Sequence, residues 1–302
     1  MPPPTSLAVE IGGRQLSVSN LDKVLYPEVG FTKGEVIDYY ARIAPVMLPH
    51  IRERALTFKR FPNGVDAGSF FEKRCPKHRP PWLPTAGGPG DGKGTIQYCE
   101  IDERAALVWA GNMAALELHA PMAGAEDIET PRAIVFDLDP GAPATIVECA
   151  QVGLLIRELL DNLSLEVCAK TSGSKGMQLY VPLNTPATHE GAGDFALAVG
   201  QLIERAHPNS VTTTMRKDVR GGKIFIDWSQ NTRHKTTIAP YSLRARPHPT
   251  ASTPVSWDEV EACAKGKDPL VFEAGDVLDR VEHMGDLFAP VLDLKQKLPT
   301  PA

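Results

Sequence analysis

The chain has 302 residues, 42% of them hydrophobic and 23% charged, with a formal net charge of −5. This balance suits a water-soluble core of ordinary size, in one large domain or two tightly joined ones. No run of about 18 apolar residues occurs, which excludes an obvious membrane-spanning helix, and the first seven residues lack the basic start and apolar stretch of a signal peptide. The net charge hides an asymmetry. Residues 52–79 hold eight Lys/Arg against three acids, residues 216–246 hold eight against two, and residues 257–297 reverse the sign with ten acids against five bases. Phosphate binding needs local positive potential rather than a positive total, so both basic blocks are candidate phosphate surfaces, with plain solvated surface as the alternative.

In chain order, Thr32-Lys-Gly-Glu35 reads as a capping box that opens a helix over about 33–48, with Val36, Ile37, Tyr40, Ile43 and Met47 on its buried stripe. Five cysteines follow at positions 75, 99, 149, 168 and 263. The odd count without close pairing predicts reduced thiols in a cytosolic protein. Cys75-Pro-Lys-His78 offers two zinc ligands, but a closed site needs four and no second pair stands nearby, which favours a polar loop. Residues 84–94, rich in Gly and Pro, read as a mobile surface loop.

Residues 133–139 form a short apolar run typical of a buried strand, stopped by Pro140-Gly141, and 145–163 read as a helix. Strands are expected at 165–169 and 177–183, a helix at 194–206, a strand at 223–228, and a last helix opening at Trp257. Strands and helices are mixed without strict alternation. The fold class expected is α+β (mixed α/β), with central, mostly antiparallel or mixed sheets flanked by helices. One domain over 1–302 is expected, with 1–15 and 298–302 as flexible tails.

Side chains at i and i+2 of a strand share a face, so Asp137 and Asp139 point together while Leu138 enters the core. Two close carboxylates repel and raise each other's pKa, and a divalent cation removes that problem. Asp favours hard cations such as Mg²⁺ or Mn²⁺, and Asp227 on a second apolar strand is the natural third ligand for two ions. A lone D-x-D is weak by itself, because strand-end acids also cap helices and loops. Ser172-Gly-Ser-Lys-Gly176 adds a small turn that presents backbone N–H groups and the Lys175 charge to triphosphate oxygens, although it lacks the spacing of a Walker loop; a plain hairpin turn is its alternative. Lys235 and Arg244 lie after the Asp227 strand and could serve the same group. Phe70 and Phe71, set between Arg60 and Lys73, offer ring faces to bases, or one ring stacks while the other packs inside.

At this point the segments 136–141, 171–176, 225–231 and 235–244, together with 22–27, 59–64, 70–73 and 115–121, resemble the polymerase domain of bacterial DNA ligase D, in the archaeo-eukaryotic primase superfamily. The resemblance runs over about 16–290. It implies a primase-polymerase-like fold with Asp137, Asp139 and Asp227 as metal ligands and Ser172, Lys175, Lys235 and Arg244 as the triphosphate grip. It further implies that Lys59 and His119 lie near the sugar of the incoming nucleotide, where the family favours ribonucleotides. Lys23 and Lys33 resemble a pocket for the 5′-phosphate across a gap, Phe70 and Phe71 a platform for template bases, and Lys217 and Arg220 a loop contacting template or primer. One departure stands out: the second motif usually ends in His, and here that position is Gln178, which can hydrogen-bond a phosphate but adds no charge.

The expected activity is attack of a primer 3′-hydroxyl on a nucleoside triphosphate with two Mn²⁺ or Mg²⁺ ions, in gap filling or end-joining repair. The expected partners are gapped or ended DNA with a downstream 5′-phosphate, nucleoside triphosphates, Ku and a separate DNA ligase, with no membrane. The expected place is the cytoplasm, at the nucleoid. No K-x-D-G ligase motif occurs and 302 residues leave no room for ligase or nuclease modules, so an excised domain and a stand-alone relative are the alternatives, of which the stand-alone relative is expected. Two rivals are a non-catalytic binder of 5′-phosphorylated DNA ends and a haloacid-dehalogenase-type phosphatase, whose D-x-D also follows an apolar strand.

Overall fold

The structure is a computed structural model and describes residues 6–90 and 94–299. In chain order its elements begin with β1 (Ser6–Ile11), β2 (Arg14–Ser19), β3 (Val24–Tyr26), β4 (Phe31–Thr32) and α1 (Lys33–Ile51). Next come β5 (Thr57–Arg60), β6 (Phe70–Glu72), β7 (Thr85–Pro89), β8 (Thr95–Cys99), α2 (Arg104–Asn112) and β9 (Ala115–Pro121). They are followed by β10 (Ala133–Pro140), α3 (Ile146–Asn162), β11 (Cys168–Thr171), β12 (Met177–Pro182), α4 (His189–Ala206), β13 (Val211–Thr212) and β14 (Ile224–Asp227). The last are β15 (Thr236–Ile238), β16 (Pro254–Val255), α5 (Trp257–Ala264), α6 (Ala274–Met284) and α7 (Pro290–Asp293). The α+β class expected from sequence is the one found. The described residues gather into two compact units, one from Met1–Ala120, Ile238–Ala251 and Phe272–Gly285, the other from Pro121–Thr237, Ser252–Val271 and Asp286–Ala302.

The first unit is organised on α1. Its capping box forms as expected, with the Thr32 side chain accepting from Glu35 N–H and the Glu35 carboxylate accepting from Thr32 N–H. The helix runs through Pro45 and Pro49 to Ile51, three residues beyond the expected end. Val36, Tyr40, Ile43 and Met47 are fully buried, and the Tyr40 hydroxyl donates to Leu116 O at 2.7 Å, so the phenol's polar end is satisfied inside the core. Strand β5 lies antiparallel between β9 and β6, with Lys59 opposite Glu117 on one side and Phe71 on the other.

Three expectations for this unit need correction. Residues 6–15 of the expected tail are not loose: β1 and β2 pair across a Gly12-Gly13 turn whose positive φ angles suit glycine, and Leu16 and Val18 of β2 join the core; residues 1–5 lie outside the described residues. The expected loop 84–94 contains β7, which pairs with β8, and residues 91–93 lie outside the described residues. Gly88 makes the strand possible despite its composition, because a Cβ there would stand 2.8 Å from the Tyr98 ring that packs over it. Cys75 and Cys99 are joined in a disulfide across 24 positions, against the expectation of reduced thiols. Cys75 N–H donates to Gln97 O, so β8 brings together two cysteines that spacing alone keeps apart. The same bond removes Cys75 from any zinc pair with His78, whereas Cys149, Cys168 and Cys263 are free thiols.

The second unit is a six-stranded sheet in the order β13-β14-β10-β12-β11-β16, antiparallel except for β13 with β14. Ile134, Phe136 and Leu138 of β10 are fully buried. Helix α3 forms as expected, with a Thr145/Glu148 capping box, and packs on this sheet where Gly153 meets Met177 and Leu138. Helix α4 starts at His189 rather than 194, because Thr188 caps it. Strand β11 lies at 168–171 rather than 165–169. Its pairing with β16 through Thr171 N–H to Thr253 O is a long-range contact that the local pattern does not carry.

Two glycines let loops close on β10. A Cβ on Gly176 would lie 2.2 Å from Leu138 O, and one on Gly141 would lie 1.9 Å from Arg220 O. In α4, by contrast, a Cβ on Gly193 meets nothing within 4 Å. Gly176→Ala should therefore destabilise the protein by roughly 1–3 kcal/mol through overpacking. Gly193→Ala should stabilise it by roughly 0.5–1 kcal/mol through helix propensity. Urea denaturation of both variants checks the pair, and equal effects would contradict the close approach at Gly176.

Candidate active site

The sheet register of the second unit sets four side chains in one transverse row. Lys170 of β11 is opposite Gln178 of β12, Gln178 is opposite Asp137 of β10, and Asp137 is opposite Asp227 of β14. Directly opposed residues of antiparallel strands share a face, with Cβ atoms about 4.5–5.5 Å apart. Asp139, two residues on, lies on the same face at the exposed end of β10. The three carboxylates expected from sequence therefore do lie side by side.

Their mutual repulsion is visible in Asp137. Burial raises its pKa most, Asp139 and Asp227 raise it further, and the Gln178 hydrogen bond and the Lys170 charge pull the other way, leaving it at about 7. Gln178 Nε2 donates to Asp137 Oδ1 at 3.0 Å. Asp227 is buried and held at both oxygens. Its Oδ1 accepts from Ser229 N–H at 3.1 Å and Ser229 Oγ–H at 2.5 Å, and its Oδ2 accepts from Gln230 Nε2 at 3.1 Å. Lys235 donates to Ser229 Oγ and lies 3.7 Å from Asp227 Oδ2. The turn that carries these groups is fixed by Asn231, whose amide exchanges hydrogen bonds with Val135 N–H and Val135 O of β10. Among the described residues no group of three or more His, Cys, Asp or Glu side chains stands close enough together, as placed, to hold a metal ion. The donor set is nonetheless all oxygen, and a divalent cation is the species that would relieve the Asp137 repulsion, so the residues fit a hard ion.

The loop after β11 differs from its expected role in one respect. Its N–H groups turn inward: Gly173 N–H reaches Thr171 Oγ1 at 3.3 Å, and Ser174 and Gly176 N–H reach Ser172 Oγ at 3.3 and 3.1 Å. Ser172 thus organises the turn and keeps its own O–H proton for an outside acceptor, and Lys175 is exposed. With these three N–H groups engaged inside the turn, the loop offers an anion chiefly the Ser172 hydroxyl and the Lys175 side chain.

The first unit gathers a second set. His119 Nε2 lies 3.0 Å from Glu117 Oε2, and Arg244 Nε lies 3.4 Å from Glu117 Oε1. Burial alone would raise the Glu117 pKa, but the His119 hydrogen bond, the Arg244 and His119 charges and the Ala245 N–H overcome it and bring it to about 2. Burial holds His119 below its ordinary pKa, against the opposing pull of Glu117. A neutral His119 that donates Nε2–H to this carboxylate presents Nδ1 as an acceptor. Lys59 Nζ sits 5.4 Å from the centre of the Phe71 ring, which meets His119 edge-on. Arg60 covers Phe70 on the other face of β6. Both phenylalanines are exposed, 46% and 59%, so neither packs inside.

Lys23 and Lys33 are neighbours in the same unit. Lys33 is buried at the start of α1 with Nζ donating to Ser19 O at 2.6 Å, and Lys23 Nζ donates to Asn63 Oδ1 at 3.0 Å. Burial, then repulsion from Lys23 and Arg60, lowers the Lys33 pKa to about 8. In the second unit, Lys217 lies on an exposed turn, and the Arg220 guanidinium stacks on Phe225 at 3.5 Å and donates to Met215 O. Arg220 is therefore engaged within the protein.

Sequence reasoning missed Glu117, Lys170, Ser229, Gln230 and Asn231. Glu117, Ser229, Gln230 and Asn231 sit inside quoted motifs, and their signal was a polar residue within an otherwise apolar, motif-rich strand or turn.

The LigD primase-polymerase domain family matches residues 32–288. The chain is 46% identical over 281 residues to the multifunctional non-homologous end joining protein LigD of Mycolicibacterium smegmatis, covering 92% of this chain and 36% of that protein. It is 43% identical over 296 residues to the LigD end joining repair protein of Mycobacterium tuberculosis, covering 93% of this chain and 38% of that protein. The chain thus spans little more than a third of the length of these relatives. Among solved structures, it is similar to the polymerase domain from Mycobacterium tuberculosis ligase D in complex with DNA, at 42% identity and TM-score 0.87, over 93% of this chain and 99% of that one. With the motif residues in place on the expected strands, the chain belongs to the LigD primase-polymerase domain family, nucleotidyltransferases of the archaeo-eukaryotic primase group.

Proposed function

We propose that this chain adds nucleotides, ribonucleotides in preference, to a primer 3′-hydroxyl at DNA gaps or ends that carry a downstream 5′-phosphate, in end-joining repair. The observation that carries this reading is the row of Asp137 and Asp227 on adjacent strands, with Asp139 on the same face. Mn²⁺ or Mg²⁺ ions held by Asp137, Asp139 and Asp227 would activate the primer hydroxyl and offset charge developing on the triphosphate. Ser172, Lys175 and Lys235 offer one hydroxyl and two cations for triphosphate oxygens, and Arg244 is a further candidate. Asp227, braced by Ser229 and Gln230, is held rigid for this task.

The His119 acceptor suits a sugar hydroxyl, which gives ribonucleotide preference a physical basis, and Lys59 is the cation beside it. Lys23 and Lys33 would hold the 5′-phosphate, Phe70 and Phe71 would stack on template bases, and Lys217 would contact the nucleic-acid backbone. Arg220 would have to leave Phe225 to do the same. Ku and a separate DNA ligase are the partners this role calls for. A haloacid-dehalogenase phosphatase is set aside by the family, and a purely end-binding protein has no use for the carboxylate row.

The decisive experiment extends a labelled primer across a short gap with each nucleotide type and either ion. Asp137→Ala/Asp139→Ala should drop addition to the level without enzyme, while His119→Ala should narrow the preference for ribonucleotides; retained addition in the carboxylate double variant would sink the proposal. Lys33 supplies a pH test. Its charge is present below about pH 8 and lost above it. The benefit of a 5′-phosphate to gap binding should therefore fall as pH rises, by roughly ten-fold per unit well above that pKa if Lys33 carries the contact. Lys33→Met should flatten this dependence, which binding titrations at pH 7 and 9 would read.

A further inference from the structure

Gln178 stands where the superfamily's second motif usually carries His, and the row across the sheet shows what accompanies the change. Lys170, its cross-strand partner, is completely buried. Lys170 Nζ donates to Gln178 Oε1 at 2.6 Å and to Ser252 Oγ at 2.7 Å, and lies 5.6 Å from the centre of the Tyr180 ring. Ser252 is itself fixed, since its hydroxyl donates to Thr171 O at 2.8 Å. A lysine is rarely this buried, because removing an ammonium from water costs several kcal/mol unless its donors are met.

The chemistry of the pair is directional. An ammonium can only donate, so the Gln178 atom that faces Lys170 must be the carbonyl oxygen. The amide is planar, so its N–H₂ end then faces Asp137, which, when ionised, can only accept. Were the amide reversed, its oxygen would face the Asp137 carboxylate and its N–H₂ would face the ammonium, and both contacts would be repulsive. Lys170 therefore selects one of two amide orientations and, through it, supplies Asp137 with a hydrogen-bond donor.

We propose that Lys170 is a positioning residue for the nucleotidyl-transfer site, acting through Gln178 to orient the Asp137 carboxylate. The pair does with a neutral amide and a buried charge what one charged ring would do directly. Lys170 does not itself touch substrate in this arrangement; it lies one strand further out than Gln178 and two from Asp137. This inference rests on the polymerase reading above, and one of its two readouts is independent of activity.

The first readout is the side-chain amide signal of Gln178 in metal-free protein carrying ¹⁵N-glutamine, assigned by its loss in Gln178→Met. In wild type the two Nε2 protons should be strongly inequivalent, with one shifted by the carboxylate. Lys170→Met should reduce that difference to the ordinary one of a solvent-exposed glutamine amide without unfolding the chain; an unchanged signal would overturn the proposal. The second readout is a double-mutant cycle on nucleotide addition. Lys170→Met and Gln178→Met should each slow kcat by ~10–100-fold, as loss of an outer partner of a ligand carboxylate does, with a smaller change in nucleotide KM. The double variant should be no slower than the slower single one, whereas multiplying effects would mean that Lys170 acts elsewhere.

Should Lys170→Met fail to fold, Gln178→Glu decides the matter. It keeps an acceptor for Lys170 but has no N–H for Asp137, so it should fold and still slow addition as much as Gln178→Met does. Wild-type kcat for Gln178→Glu would overturn the proposal. If wild type itself adds no nucleotide, the polymerase reading fails, and the amide signals still report whether Lys170 orients Gln178.

Discussion

Carboxylates on neighbouring strands repel, and much of the second unit can be understood as the means of tolerating that repulsion. At Asp137, burial strengthens the penalty, because fewer waters screen Asp139 and Asp227. The protein answers with groups aimed at single oxygens: Gln178 on Asp137, and Ser229 and Gln230 on Asp227. The turn that supplies two of these is locked to β10 by Asn231. Even so the compensation is incomplete, and Asp137 remains far above an ordinary carboxylate. A site left short of positive charge in this way suits a cation, and a carboxylate so perturbed is a candidate functional group.

The first unit solves the opposite problem. Glu117 is a single buried carboxylate surrounded by His119, Arg244 and the Ala245 N–H, and its charge is stabilised so fully that it stays ionised to about pH 2. Its effect falls on its neighbours: Arg244 pairs with one oxygen at 3.4 Å, and His119 Nε2 lies 3.0 Å from the other. Two buried acids thus end with opposite pKa shifts because one is surrounded by acids and the other by bases.

The parts of this arrangement that were legible in the sequence are those written along one strand. Asp137 and Asp139 share a face by the two-residue repeat, the Thr32 and Thr145 caps are local, and the apolar run around Ile134–Leu138 marks a central strand. What runs across strands was legible only in part. Asp227 could be named as the third carboxylate from its apolar strand, but its register opposite Asp137, 90 residues away, could not, and the opposition of Lys170 to Gln178 depends on a register set by the turn at 172–176. Cys75 and Cys99 escaped for the same reason, and β7 because its Gly and Pro content obscured a strand whose missing side chains are replaced by the Tyr98 ring.

The exchange of His for Gln at position 178 shows how far a local departure can mislead when read alone. From the sequence it looks like a lost charge. Across the sheet, a buried ammonium stands one strand away, tied to the same amide. Moving the charge back from the carboxylates costs direct Coulomb attraction, which falls with distance, but it leaves a neutral donor in contact with Asp137. A neutral donor does not compete with a cation for that carboxylate as strongly as an imidazolium would. An ammonium enclosed by Gln178, Ser252 and the Tyr180 ring has little room to move, so its field on the carboxylate row is fixed before any ligand arrives. The cost of burying Lys170 is thereby converted into a preset geometry at Asp137, which is the form of electrostatic contribution that requires least reorganisation during a reaction.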